Sequence, residues 1–230
     1  MSLITEGRDA IIRWIKTEKI PEVLASSYEK AARLVVEPYY RKVAEKIASS
    51  GVTGLLLDLG TGPGYLPIEI ARRCTEVRII GIDLSAKLIR AARANAAKAG
   101  LSGRLDFEIG NAAGLRFRKA SFDMIISTGM LHSLKAPEKV LQEIHRLLKT
   151  GGKAWIFDPA AISSLINRRK WAELLTSRDR FFLWLFKATG LHTPIRAYTR
   201  NEVIPIVEAT DFRKYTIEAE PGEIKIFLEK

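Results

Sequence analysis

The stretch Leu-Leu-Leu-Asp-Leu-Gly-Thr-Gly-Pro-Gly-Tyr, residues 55–65, decides the fold of this chain. Its apolar run is short enough for a buried strand, and its alternate glycines let the backbone bend sharply and let a ligand approach it. We therefore predict a strand, a loop and the N-terminus of a helix. Asp58 would end the strand at the crevice where open α/β sheets bind ligands, and a carboxylate buried there needs a hydrogen-bond donor.

The spacing of these glycines excludes a dinucleotide-binding fingerprint. Counted from either of the first two glycines, the last position of a G-x-G-x-x-G pattern falls on Tyr65 or Pro67. What remains is the pattern Asp58-x-Gly60-x-Gly62-x-Gly64. With this pattern the chain resembles the class I S-adenosylmethionine (SAM)-dependent methyltransferases.

Strands and helices alternate downstream of the glycines, which predicts a parallel sheet. Together with the resemblance, this predicts an α/β fold with a doubly wound, seven-stranded, mostly parallel sheet and a C-terminal antiparallel hairpin. Ser85 and Thr199 are predicted to cap helices, and Gly151 and Gly152 to end one. The predicted strands after the first are 77–82, 105–109, 122–127, 153–157, 215–219 and 224–228, and the predicted core helices are 66–73, 86–99, 137–149 and 200–209.

The chain outside this core is predicted to cover the site. Residues 1–50 form a predicted N-terminal helical cap on a SAM-binding domain of residues 51–230, and the resemblance implies that such helices cover the methionine end of the cofactor. Residues 161–195 contain two helical segments, the second rich in aromatic side chains, which we interpret as a lid because such a surface must cover something. Contact with a membrane surface or with nucleic acid is the alternative interpretation of this insert.

Composition limits the class of protein. The chain has 230 residues, of which 47% are hydrophobic and 27% charged, and it has no apolar run of the ~20 residues that a membrane span needs. Without a signal-peptide core at the N-terminus, a cytoplasmic location is expected. Cys74 is the single cysteine, and the three histidines lack ligand spacing, so neither a disulfide nor a metal cofactor is expected.

The net charge of +11 is concentrated in the second half of the chain, where residues 116–214 hold 18 Lys and Arg against 9 Asp and Glu. This surplus could attract an anionic partner such as RNA, a lipid headgroup or a phosphate-bearing small molecule. A solvated basic surface explains it equally well.

Asp83 ends the second predicted strand, 23 positions after Gly60, where an acid can accept both ribose hydroxyls of an adenosine ligand. The resemblance implies that the position of Asn111 holds the adenine amino group, commonly with an acid, and that the next backbone N–H reaches the ring. We expect the Asn111 carbonyl to accept that hydrogen bond without charge assistance. The full predicted cofactor set is Asp58, Gly60, Thr61, Gly62, Gly64, Asp83, Leu84, Leu88, Asn111, Ala112 and Ser127.

The loop after the fourth predicted strand lacks the Asn-Pro-Pro or Asp-Pro-Pro sequence of methyltransferases that modify planar amino groups. Its sequence, 127–132, resembles instead the small-molecule and quinone-type branch, in which an apolar loop and a histidine line the pocket. His132 is the predicted base or substrate-orienting residue, because an unperturbed imidazole titrates near neutrality. Tyr28, Met130 and Asp158 are the predicted substrate contacts.

The resemblance implies SAM-dependent methyl transfer to a small organic acceptor at an oxygen, nitrogen or carbon atom, with S-adenosylhomocysteine as the product. Two alternatives remain open from the sequence. One is an RNA methyltransferase, which the basic charge favours; the other is a nonenzymatic SAM-binding protein.

Overall fold

The computed structural model describes residues 37–159, 198–220 and 223–230, together with Glu18, Ala25, Ser26, Glu29 and Arg33. Most of the predicted N-terminal cap lies outside the described residues, as do Tyr28 and the whole predicted lid at 161–195. None of the helices in the described ranges has the length and apolar character that a membrane span requires.

A seven-stranded sheet forms the centre of the structure, in the order β3-β2-β1-β4-β5-β7-β6. The first five strands are parallel, whereas β7 runs antiparallel to both β5 and β6. The predicted fold class is therefore confirmed. The strands are β1 (Gly54–Leu59), β2 (Val77–Asp83), β3 (Leu105–Ile109), β4 (Phe122–Thr128), β5 (Leu148–Pro159), β6 (Lys214–Glu220) and β7 (Glu223–Glu229).

Helices cover both faces of this sheet, because each face carries its own apolar cluster. One cluster joins α1, α2 and α3 to the sheet, and the other joins α4 and α5 to the opposite face. Within the described ranges the helices are α1 (Glu37–Ser49), α2 (Tyr65–Arg73), α3 (Ala86–Lys98), α4 (Pro137–Leu147) and α5 (Arg200–Glu208), and a 3₁₀ turn lies at Leu131–Ser133.

Two helix starts follow the predicted caps. The Ser85 hydroxyl accepts the backbone N–H of Leu88 at the start of α3. Thr199 and Glu202 form a reciprocal capping box at the start of α5, in which each side chain accepts a backbone N–H of the other residue. Both predictions are confirmed, because a side-chain oxygen satisfies a backbone donor that the first helical turn leaves unpaired.

The predicted boundary between α4 and β5 is wrong. The helix ends at Leu147 rather than at residue 149, and β5 begins at Leu148, which pairs with Phe122. Gly151 and Gly152 exchange backbone hydrogen bonds with Lys230 instead of ending the helix. Pairing with Phe122 and with Lys230 thus extends β5 over residues whose local sequence favours the end of a helix.

Gly64 and Gly81 allow the elements around the first loop to pack closely. Gly64 has a φ of +80°, and a methyl group there would lie 3.0 Å from the side chains of Ala92 and Phe107. A methyl group at residue 81 would lie 2.6 Å from Thr61 Oγ1 and 2.7 Å from the Phe107 ring. Both glycines are therefore required by the packing of the protein itself.

We predict that Gly81→Ala destabilises the protein by about 1–3 kcal/mol, because the added methyl group must displace Thr61 or Phe107. Gly103→Ala is the matched control, since nothing lies within 4 Å of a methyl group at that position. Urea denaturation of the two variants measures the difference. Equal free energies of unfolding would show that residue 81 does not need to be glycine.

Candidate functional site

The loop between β1 and α2 is held against the end of β2 by its own backbone. The N–H groups of Gly60 and Thr61 both donate to the carbonyl of Ile82, at 2.8 and 3.0 Å. The N–H of Gly62 donates to Asp83 Oδ2 at 3.0 Å. Gly60, Gly62 and Gly64 all have positive φ, from 54° to 80°, which explains the alternate glycines.

Asp58 lies in β1 directly before this turn, and only 1% of it is exposed. Its Oδ1 and the Oγ1 of Thr61 are buried without a hydrogen-bond partner among the described residues. Burial raises the pKa of Asp58 to about 7. The side chain of Thr61 lowers this pKa in part, although its Oγ1 makes no hydrogen bond of normal geometry, and the charge of Asp83 raises the pKa further. A buried acceptor of this kind is costly unless a ligand supplies a donor.

Asp83 connects the first loop to the start of α3. One carboxylate oxygen accepts the N–H of Gly62, and the other accepts the N–H of Ser85 at 2.8 Å. A carboxylate can accept about four hydrogen bonds in all. The two bonds also fix the orientation of the carboxylate before any ligand arrives.

A cleft of about 410 Å³, including the space open to solvent, lies beside Asp83. Six predicted residues line it: Gly60, Asp83, Leu84, Asn111, Ala112 and Met130. Polar groups and apolar side chains therefore meet in one cleft at the carboxyl ends of neighbouring strands.

Asn111 already makes a local hydrogen bond. Its side-chain carbonyl accepts the backbone N–H of Ala113 at 2.9 Å, which fixes the side chain in a turn after β3. The second lone pair of that oxygen is the one that could accept an adenine amino group. The predicted adenine contacts of Asn111 and Ala112 stay predictions.

Three further predicted cofactor residues act within the protein. Gly64 packs against α3 and β3, as described above. The Ser127 hydroxyl, on β4, donates to the carbonyl of Leu59 at 3.0 Å. Leu88 is buried, and its N–H donates to Ser85. These residues connect the elements around the cleft, and their direct contact with a cofactor stays a prediction.

His132 and Asp158 form a pair after β4 and within β5. Asp158 Oδ2 accepts the backbone N–H of His132 at 3.0 Å, and Oδ1 lies 2.9 Å from the ring Nδ1. The Asp158 side chain is 0% exposed and that of His132 is 10% exposed. The structure thus brings together the predicted base and a predicted substrate contact, and it places the carboxylate against the imidazole.

Met130 lies two residues before His132 and contacts the glycine turn. A methyl group at Gly60 would lie 3.1 Å from Met130 Sδ, so the methionine covers the first glycine of the loop. Met130 also lines the cleft. The loop that carries His132 is therefore part of the same site as the glycine turn.

Tyr39 of α1 and Glu223 of β7 lie beside this pair. The Tyr39 hydroxyl donates to Glu223 at 2.5 Å, and Lys225 contacts the same carboxylate at 3.3 Å. Burial raises the pKa of the Tyr39 phenol, and the carboxylates of Glu223 and then Asp158 raise it further. Tyr39 of α1 therefore lies near enough to Asp158 for the charge of that carboxylate to act on the phenol.

A comparison with known families assigns the chain. The family model described as a methyltransferase domain matches residues 53–197, which is more than half of the chain. The chain belongs to this methyltransferase-domain family. The resemblance drawn from the glycine loop is confirmed.

Two curated relatives and one solved structure illustrate the relationship. The chain is 29% identical over 150 residues to the ubiquinone/menaquinone biosynthesis C-methyltransferase UbiE of Geotalea daltonii, covering 62% of this chain and 64% of that protein. It is 28% identical to the O-methyltransferase resE of Aspergillus sclerotiorum, covering 86% of this chain and 76% of that protein. A structure from Methanococcus maripaludis, described as a proposed SAM-dependent methyltransferase, has a TM-score of 0.72 at 21% identity and 94% coverage of both chains. The match to the UbiE protein thus spans slightly less than two thirds of its length.

Four residues that line the cleft of this methyltransferase domain were not predicted. Ile82 and Gly110 adjoin predicted residues at strand ends, so their position could have revealed them. Leu134 lies two residues after His132. Glu18 had no signal, because its carboxylate reaches the N–H of Lys135 across 117 positions of sequence.

The buried Asp58 of the methyltransferase domain generates a pH-dependent stability. Its pKa is about 7 in the folded protein and about 3.9 in an unfolded chain, so the folded state binds the proton more tightly. Stability is therefore lost as pH rises from about 4 to 7 and stays constant above that.

We predict that Asp58→Asn gains stability relative to the natural protein as pH rises, by about 2–3 kcal/mol between pH 5 and pH 8. The measurement is urea denaturation of the ligand-free proteins at both pH values. Asp106→Asn, at an exposed position of β3, is the control and should show no such change. A stability difference that does not grow with pH would contradict the raised pKa.

Proposed function

We propose that the chain is a SAM-dependent methyltransferase that acts on a small organic acceptor. The observation that carries the proposal is the buried Asp58 carboxylate, whose Oδ1 lacks a partner among the described residues beside the glycine turn. The ammonium group of an amino-acid ligand is a donor that would satisfy it. Family membership and the relatives named above support the same class of enzyme.

The residues around the cleft fit the remaining parts of SAM. Asp83 lines the cleft, where it would accept hydrogen bonds from the ribose hydroxyls, and two backbone N–H groups fix its orientation. Asn111 and Ala112 line the same cleft and would contact the adenine ring. Leu84 and Ile82 offer apolar contacts for the ring faces. When bound, SAM supplies a methyl group on a sulfonium, which a nucleophile displaces in line.

The acceptor site is proposed to lie beside the loop of Met130 and His132. Met130 of this loop lines the cleft and lies against Gly60, so an acceptor there would face the methionine half of the cofactor. The names of the relatives, a quinone C-methyltransferase and an O-methyltransferase, support a small-molecule acceptor. They lend no support to the RNA alternative.

Three further features are proposed from the sequence. The segments 1–50 and 161–195 would cover the cofactor and the acceptor as a cap and a lid, with Tyr28 against the substrate. The basic residues between 116 and 214 would attract an anionic group, and the protein would work in the cytoplasm.

We predict that Asp83→Ala weakens SAM binding at least ~100-fold, because two charge-assisted hydrogen bonds of about 1.5 kcal/mol or more each are lost. Calorimetric titration with SAM measures the change. Asp106→Ala, an exposed acid on the adjacent strand, is the control and should bind SAM as the natural protein does. Unchanged affinity of Asp83→Ala would refute the ribose assignment, and a natural protein that does not bind SAM would refute the proposed function.

Methyl transfer is tested by incubating the protein with SAM labelled on the methyl group and extracts of the source organism. The proposal predicts label in the low-molecular-weight organic fraction. Label in RNA would support the RNA alternative instead. SAM that binds without any labelled product would support a nonenzymatic role.

A further inference from the structure

We infer that Asp158 is a positioning residue that keeps the proton of His132 on Nδ1, so that Nε2 accepts a proton from a hydroxyl group of the methyl acceptor. This inference rests on the proposed function. It changes the predicted role of Asp158 from a substrate contact to a group that acts through His132.

The geometry of the pair fixes the histidine at two points. Asp158 accepts both the backbone N–H and the ring Nδ1 of His132, with one carboxylate oxygen for each. The ring cannot rotate about its side-chain bonds without losing the second bond. The backbone around it is also fixed, because Gly129 donates to Phe157 and the Ser133 hydroxyl donates to Met130.

The bond to Asp158 selects one tautomer. A carboxylate only accepts hydrogen bonds, so the ring nitrogen that faces it must carry the proton. The other ring nitrogen, Nε2, then has a free lone pair. Among the described residues nothing donates to Nε2. Nε2 is therefore the ring nitrogen that can accept a proton from a ligand.

The surroundings of Asp158 exclude water from the carboxylate. Its side chain is 0% exposed, and the Tyr39 phenol lies near enough for the charge of Asp158 to act on it. An anion in such a site stabilises a positive charge on the imidazole more strongly than it would in water. The imidazolium that forms when Nε2 takes a proton is thus compensated by a partner that is already in place.

The chemistry points to an acceptor with an acidic hydroxyl, such as a phenol, a hydroquinone or an enol. Three residues of the loop around His132 are apolar, namely Met130, Leu131 and Leu134, and the hydroxyl of Ser133 is bonded to the carbonyl of Met130. Such surroundings favour a neutral hydroxyl over an ammonium group, which would lose hydration there. O-methylation and the C-methylation of a hydroxylated ring both begin with the loss of this hydroxyl proton.

The proton and electron pairs balance without a further reagent. The acceptor proton moves to Nε2, and the electron pair left on the acceptor forms the bond to the methyl carbon. The carbon–sulfur bond breaks, and its electron pair stays on sulfur as a thioether. For C-methylation the ring carbon then loses its own proton to solvent. The imidazolium returns its proton to solvent, and Asp158 takes no part in the transfer of the proton.

The tautomer can be observed directly in the ligand-free protein. The chain has three histidines, so a ¹⁵N spectrum of the imidazoles of the full chain contains three ring systems. Loss of one system in His132→Gln assigns His132. We expect the natural protein to carry the His132 proton on Nδ1. A proton on Nε2 in the natural protein would overturn the inference without any variant.

Asp158→Asn tests the cause, because its amide can turn its NH₂ group towards Nδ1 and so favour the other tautomer. We expect the His132 proton to move wholly or partly to Nε2. Asp211→Asn is the matched control, since Asp211 faces His145 at 3.9 Å and should leave His132 unchanged. An unaltered His132 tautomer in a folded Asp158→Asn protein would count against the inference.

A kinetic experiment measures the rate of methyl transfer from SAM with a labelled methyl group to the small-molecule extract described above. We expect Asp158→Asn to transfer label about 10²–10⁴-fold more slowly, with SAM affinity unchanged. Transfer at the natural rate would refute the inference and leave the proposed function intact. Failure of the natural protein to bind SAM would refute the proposed function, and the ¹⁵N spectrum would still decide the tautomer.

Discussion

The hydrogen bonds that tie the glycine turn to the end of β2 are the constraint on which the site depends. Three consecutive N–H groups, from Gly60 to Gly62, are satisfied by Ile82 and Asp83. The turn is therefore rigid before any ligand binds, and the carboxylate that holds it is the same one that would hold the ribose. A substitution of Asp83 would therefore affect both the folding of the loop and the binding of the cofactor.

A second feature of the site works against stability. Asp58 is buried beside the turn, and desolvation raises its pKa to about 7, which makes the ionised form costly in the ligand-free protein. A ligand that carries a positive charge would remove that cost. Unfavourable interactions of this kind are common in binding sites that are formed before the ligand binds.

Much of this arrangement could be predicted from local sequence. The apolar run before Gly60, the acid at the end of β2 and the cap at Ser85 each depend on neighbouring residues, and each was found. The start of β5 could not be predicted, because pairing of Leu148 with Phe122 outweighs the local preference for helix. The position of Glu18 could not be predicted either, because its partner Lys135 is remote in sequence.

His132 shows the limit of motif reasoning most clearly. Its residue type and loop suggested a base, but only the folded chain brings Asp158 from the next strand against its ring. The carboxylate was assigned to the substrate from its position at the crevice, whereas its burial and its two bonds relate it to the histidine. A side chain at the end of a strand can thus act on the ligand through a neighbour.

The most direct test of the account is a crystal structure of the protein with S-adenosylhomocysteine. The account predicts that the amino-acid end lies beside Asp58, the ribose hydroxyls contact Asp83, and the adenine lies between Leu84 and Asn111. Density for the ligand at any other place, or a cleft that stays empty at a saturating concentration, would contradict it.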